Sequence, residues 1–276
     1  MKWLPSLLAA ASLALCCAPA HAQPMGADAL APRPIAEPGW LGITISWDDE
    51  HGQVRVLQAL PNSPARIAGV PPNARIATID GETVDSVDAF IGRVSGRPAG
   101  TVVRLSVVVG DEARTFEIAL GARPSVGQLS SLMEGELVPE LAVQDARTEA
   151  SSSLLADEGR VHVVEFWATW CGPCRAVRPQ MVEMHDELSP HGLQIVAVSG
   201  EESADVVRYL DDHPAPYRVA VDPEGTVSAE LLAMALPTWF VIDGDRRIVA
   251  VHSGSNEMPQ VRRAVEALLA ADEPDP

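Results

Sequence analysis

The sequence predicts a small β-rich domain carrying one helix, followed by an α/β layered domain, and three observations predict it. From Gly39 to Leu120 short apolar runs alternate with turn residues. From His162 to Ala271 such runs alternate with helical patterns, and between the two regions lies a stretch with Pro124, Gly127 and a Ser130-Ser131 pair. At 276 residues and 47% apolar content, the chain is long enough for two ordinary cores.

In chain order, residues 1–22 read as an export signal: Lys2 supplies the positive charge, Leu4 to Ala18 is apolar, and Ala20-His21-Ala22 is a small-x-small cleavage site. A membrane anchor is the alternative, and the apolar run is short for a span. Lipidation at Cys16 or Cys17 is disfavoured, since neither follows a small residue. Residues 23–38, rich in proline and alanine without periodicity, form a linker.

The β-rich domain covers residues 39–121. Strands are expected from Ile43 to Trp47, Val54 to Ala59, Arg75 to Ile79, Val102 to Val109 and Thr115 to Leu120, with turns at Asp80-Gly81 and Gly110-Asp111. Val87, Phe90, Ile91 and Val94 repeat at helical spacing. Residues 122–134 are expected to be a second linker.

The α/β domain covers residues 135–271. Strand His162 to Phe166 leads into a helix from Cys171 to about Leu188, then strand Leu193 to Ser199, helix Ala204 to Asp212 and strand Arg218 to Val221. A short helix near Ser228 to Ala233 precedes strands Thr238 to Ile242 and Ile248 to His252 and helix Pro259 to Ala271. Residues 272–276 are an acidic tail.

Cleavage of the signal would leave Cys171 and Cys174 as the remaining cysteines, three apart. That is too few for a structural framework. In an oxidising compartment the pair reads as a site of thiol–disulfide exchange. The formal charge of −18 becomes −19 without Lys2, the sole lysine, leaving 19 basic against 38 acidic residues. Such acidity argues against nucleic acid and anionic membrane surfaces as partners.

Val164-Glu165-Phe166-Trp167-Ala168-Thr169-Trp170-Cys171-Gly172-Pro173-Cys174 carries an apolar strand through a tight turn into a helix. It resembles the thioredoxin fold, and Glu165 with the long middle section resembles the TlpA-like branch of exported oxidoreductases. A cysteine at a helix start meets unpaired N–H groups and the positive end of the macrodipole, so Cys171 is expected to attack as the thiolate. Pro173 breaks no bond in the first turn, and Cys174, one turn in, can reach the Cys171 sulfur as the resolving thiol.

The resemblance implies further roles. Glu165 would lie beneath the disulfide, where burial raises a carboxyl's pKa and suits it to take the Cys174 proton; the bland alternative is an edge position facing water. Thioredoxin has a lysine near this acid, which the mature chain lacks. Pro237, between Leu236 and Thr238, matches the family's cis-proline facing the disulfide, and Trp170, Gly172 and Pro173 complete the surround. Pro179 within the helix also matches. The couple Cys171–Cys174 needs no cofactor. His185 and His191 follow the cysteines at a spacing that nearly resembles a zinc finger, but the gap is short and the Ser189-Pro190 helix stop intervenes.

In the front domain, Gly39-Trp40-Leu41-Gly42-Ile43, Ser63-Pro64-Ala65-Arg66-Ile67-Ala68-Gly69-Val70 and Ile76-Ala77-Thr78-Ile79-Asp80-Gly81 together resemble the PDZ domains of bacterial envelope proteins, departing from them at Pro72-Asn73-Ala74. The resemblance implies that Leu41, Gly42 and Ile43 hold a peptide's C-terminal carboxylate while Ile45, Val87, Phe90 and Ile91 line a groove. The alternative is a domain that only packs on its neighbour.

The expectation is a periplasmic oxidoreductase that reduces protein disulfides with electrons from a membrane thiol relay, since Gly172-Pro173 and Glu165 resemble the reducing branches. A disulfide oxidase or isomerase is the alternative, because direction follows reduction potential. A peptide-binding adaptor with a vestigial redox domain would show a degraded motif, and an envelope protease would show a nucleophile-elbow serine; neither is seen.

Overall fold

In the computed structural model, residues 37–156 and 159–271 are described; the expected signal, most of the first linker and the acidic tail lie outside them. The N-terminal part comprises β1 (Gly39–Trp40), β2 (Ile43–Asp48), β3 (Gln53–Ala59), α1 (Pro64–Ile67), β4 (Arg75–Ile79), β5 (Glu82–Thr83), α2 (Val87–Ser95), β6 (Val102–Val109), β7 (Glu112–Ala119) and β8 (Gly121–Ala122). Strands β2-β3-β4-β6-β7 form an antiparallel sheet in that order, with β5 on β4, while β1 pairs with β8. Alternation sets the faces: Val103, Leu105 and Val107 are buried between exposed Val102 and Arg104. Ser86 caps α2 by accepting from the Ala89 N–H at 3.1 Å, and Phe90 and Val94 turn inward to meet Val54, Ile76 and Leu105.

The C-terminal part comprises β9 (Ala142–Asp145), β10 (Ser151–Ser153), β11 (Val161–Trp167), α3 (Gly172–Leu188), β12 (Leu193–Ser199), α4 (Ser203–Asp212), β13 (Arg218–Val221), α5 (Thr226–Glu230), β14 (Thr238–Asp243), β15 (Ile248–Ser253) and α6 (Met258–Ala271). They build a mixed sheet in the order β10-β9-β13-β12-β11-β14-β15, with β11, β12 and β13 parallel. Covered on both faces, β11 is buried along its whole length, as its near-continuous apolar run requires. Val161, Val163 and Trp167 point to one face, with Val177 and Met181 of α3 and Val261 and Val265 of α6; Val164 and Phe166 point to the other, with Phe240, Ile242 and Leu231. Strands β9 and β10 depart from the sequence expectation: both are short, β10 is a polar edge strand and β9 beside it buries only Val143, so neither carries a strong apolar signal.

The stretch expected to be a plain linker is built into the structure. Val126–Gln128 and Ser130–Met133 form 3-10 turns, and Ser130 and Met133 are buried, Met133 in the second core of the α/β part. The Asn62 side-chain amide donates to the Leu132 and Glu134 carbonyls at 2.8 Å each, and a Glu134 carboxylate oxygen accepts from the Val251 N–H at 3.0 Å. Proline and serine content signalled a break in regular structure but could not report these distant partners.

Gly42 is held by a close approach. Its φ is +71°, and an added Cβ would stand 2.2 Å from the Cβ of buried Ser63, which caps α1. Gly42→Ala should therefore cost about 2 kcal/mol or more. Urea unfolding would register it as a lower midpoint at unchanged slope; an unshifted midpoint would mean that the loop yields freely.

Candidate active site

The strand-to-helix turn after β11 places the two cysteines. Cys171 is the N-cap of α3, at φ −74° and ψ 103°, and Cys174 lies within the first turn. The two are joined by a disulfide. The Cys171 sulfur accepts from the Cys174 N–H at 3.2 Å, so it sits against the unpaired donors of the helix start, one position earlier than the first turn expected from sequence. Pro173 falls among the first two helical residues, where its missing N–H breaks no bond, and the helix continues through Pro179. Both cysteines are buried, whereas Trp170 beside them is 70% exposed.

Glu165 occupies central β11 and is 4% exposed, which rules out the edge reading. It pairs across the ladder with Trp239 and Ala197 and faces the same side as Trp167. Burial pushes its carboxyl up to about 8 against the opposing pull of the Arg178 charge and the Trp239 indole. Arg178, on α3, is the cation whose charge acts on this acid. Its guanidinium lies over the rings of Trp167 and Tyr209, 5.7 and 5.4 Å from their centroids, and donates to the His213 carbonyl. Tyr217 is buried on the same face, and its phenol is pushed up, first by burial and then by the Glu165 charge.

The Phe166–Thr238 pairing sets the start of β14 beside the end of β11. The Leu236–Pro237 peptide is cis. Buried Thr238 donates from Oγ1 to the Ala235 carbonyl at 2.8 Å and meets the Ser253 hydroxyl at 2.8 Å, which fixes the loop from below. Trp170, Leu236 and Met234 share the walls of a cleft of about 330 Å³. Trp170, Gly172 and Pro173 flank the cysteines in the chain, Glu165 lies on β11 just before them, and Leu236 and Thr238 lie just before and at the start of β14, beside the end of β11. The His185 ring lies 5.9 Å from that of Tyr217, and His191 is in the 3-10 turn that follows α3.

Sequence reading missed Glu201. Its carboxylate accepts from the Thr169 N–H at 2.7 Å, the Thr169 hydroxyl at 2.6 Å and the Ser199 hydroxyl at 2.9 Å, tying the loop before Cys171 to the end of β12. A polar cluster just past a buried parallel strand was the available signal.

In the N-terminal part, Leu41, Gly42, Ile43, Ile45, Phe90 and Ile91 line a cavity of about 220 Å³. Val87 does not line it: at the first residue of α2 it packs on the core instead. Arg123, unremarked in the sequence, stands at the same cavity. Among the described residues, the Leu41 and Gly42 N–H groups donate to no protein acceptor.

The AhpC/TSA family profile matches residues 135–251. The chain is 30% identical to the thiol:disulfide interchange protein DsbE homolog of Paracoccus denitrificans over 150 residues, half of this chain and 81% of the relative. It is 26% identical to the thiol:disulfide interchange protein HelX of Rhodobacter capsulatus over 146 residues, covering 51% and 80% of the two chains. The thiol-disulfide oxidoreductase ResA of Bacillus subtilis is 29% identical over 127 residues, covering 45% and 70%.

The raised Glu165 carboxyl carries a stability signature. Between about pH 5 and 8 the unfolded chain has lost this proton while the folded oxidised protein keeps it, so stability falls as pH rises. The slope from this group is about 1.4 kcal/mol per pH unit, levelling above its folded value. Unfolding of wild type and Glu165→Gln across this range should converge near pH 5 and diverge upward, with the glutamine variant the more stable at pH 9. Parallel curves would mean the carboxyl ionises normally.

Proposed function

Because the chain belongs to the thioredoxin-like family of thiol–disulfide oxidoreductases, we propose that it is an exported reductase of protein disulfides in which Cys171 attacks and Cys174 resolves. The observation that carries this reading is the Cys171 sulfur at the N-cap of α3, bonded to Cys174 in the first turn and accepting its N–H. The Cys171 thiolate attacks one sulfur of the client disulfide, forming a mixed disulfide and releasing a client thiolate. Cys174 then gives its proton to Glu165 and attacks the Cys171 sulfur, which breaks the mixed disulfide and releases the second thiolate. Two electrons pass to the client, whose thiolates take up two protons, and the protein ends oxidised. Glu165 has to be ionised in the reduced protein to take that proton, and once the disulfide has closed its carboxyl, pushed up to about 8 by burial, holds it at neutral pH.

No group beyond the two sulfurs is needed to hold the electrons. Gly172-Pro173 and Glu165 favour the reducing direction by their likeness to the reducing branches, and a membrane thiol relay would restore the dithiol. Residues 1–22 would direct the chain to the periplasm; among the described residues no helix is long and apolar enough to cross a membrane. Residues 39–121 would form a PDZ-like docking module ahead of the redox domain of residues 135–271. The free Leu41 and Gly42 N–H groups, with Ile43, would receive a peptide's C-terminal carboxylate, and Ile45, Phe90 and Ile91 its last side chain. Pro237 would leave the Leu236 backbone available to pair with the client strand.

Cys174→Ser should accumulate a mixed disulfide between Cys171 and a client, visible as a thiol-sensitive band on non-reducing gels. A Cys171→Ser protein that traps clients instead would exchange the two roles. The couple's potential should equilibrate near that of thioredoxin, about −270 mV, and one near −120 mV would make the protein an oxidant.

A further inference from the structure

A second carboxylate, Glu201, is hydrogen-bonded to the loop that leads into Cys171. Glu201, half-buried, is held by three neutral donors: Oε2 accepts from the Thr169 N–H and the Ser199 hydroxyl, and Oε1 from the Thr169 hydroxyl. An ionised carboxylate offers roughly four acceptor sites, so one on Oε1 stays open. Among the described residues no Lys, Arg or His pairs with it. A charge set into protein and balanced only by neutral dipoles favours a cation arriving from outside.

The surroundings narrow what that cation is. Glu201 stands in the wall of the cleft shared by Trp170, Leu236 and Met234, and it is the one charged side chain lining that cleft. Trp170 adjoins Cys171, Leu236 precedes the cis proline, and Trp170 and Met234 are 70% and 60% exposed. Apolar walls with a single anion suit a side chain that has an aliphatic stem and a positive head, the stem packing on Met234 and the head reaching the carboxylate past the Trp170 ring. A small metal cation would find one carboxylate and too few oxygen ligands there.

We propose that Glu201 is a specificity-determining residue: the cleft receives an arginine or lysine that flanks the client's cysteine. The proposal rests on the reading that Cys171 attacks a client disulfide, and deepens it by naming the client's chemistry. The same carboxylate aligns Thr169 and so orders the loop that presents Trp170 and Cys171, which couples the reading of a basic residue to the attack itself.

The full chain, pre-reduced so that its own dithiol supplies both electrons, is mixed with peptides bearing one internal disulfide. The peptides carry Arg, Leu or Glu at the positions one and two residues either side of the attacked cysteine, and single-turnover rates are followed by loss of protein thiols. The Arg peptide should react about fivefold faster than the Leu peptide at its best position, with the Glu peptide slowest, and the ordering should shrink in high salt. In Glu201→Gln the Arg-to-Glu ratio should fall toward one. Leu matching or outpacing Arg in the wild-type series overturns the proposal without recourse to any variant, as does a preference that survives in Glu201→Gln. Failure of every peptide to oxidise the dithiol overturns the redox reading instead, an outcome distinct from equal rates.

Discussion

The structure depends on a junction: the amino end of α3 set on the carboxyl end of β11, a strand buried along its whole length. Because β11 is central, the strands beside it deliver their own ends to the same place. Strand β12 ends in Ser199 and leads to Glu201, and β14 begins at Thr238 just past the cis proline. The helix start, a buried acid, an exposed tryptophan and the cis-proline turn are therefore delivered by segments that end or begin at the same edge of the sheet. The sheet needs no special device for this, since parallel pairing of β11 with β12 already aligns their carboxyl ends.

Burial at this junction works in two directions. It strengthens the influence of the α3 dipole on the N-cap sulfur by excluding water, and it makes the Glu165 carboxyl costly to ionise. Replacing Glu165 by an uncharged residue of similar shape would remove that cost from the fold at alkaline pH. Arg178 moderates the conflict. It lies over Trp167 and Tyr209 rather than forming a close ion pair with the acid, and its charge acts from there.

The connection between the two parts is likewise more than a tether. Asn62, in the turn between β3 and α1, holds the carbonyls of Leu132 and Glu134, while Glu134 and Ser130 reach Val251 and Ser253 of β15. Ser253 in turn meets Thr238 next to the cis proline. A line of hydrogen bonds therefore runs from the segment between the sheets to the floor of the active site.

Legible in the chain alone are the strands with strong apolar alternation, the amphipathic helices, the cysteine pair at a helix start and the burial of Glu165 among Val163, Val164, Phe166 and Trp167. Those properties are local: period, capping and turn chemistry act over a few residues, so they can be read in a line of text. Long-range placement alone sets the Arg178 charge against Glu165, has Glu201 clamp Thr169 across 32 positions, packs Val87 on the core, stands Arg123 at the groove and buries Met133 of the expected linker. Each of these depends on which strand ends and loops become neighbours. Periodicity tells which face of an element is buried, but not what the other elements will place against it.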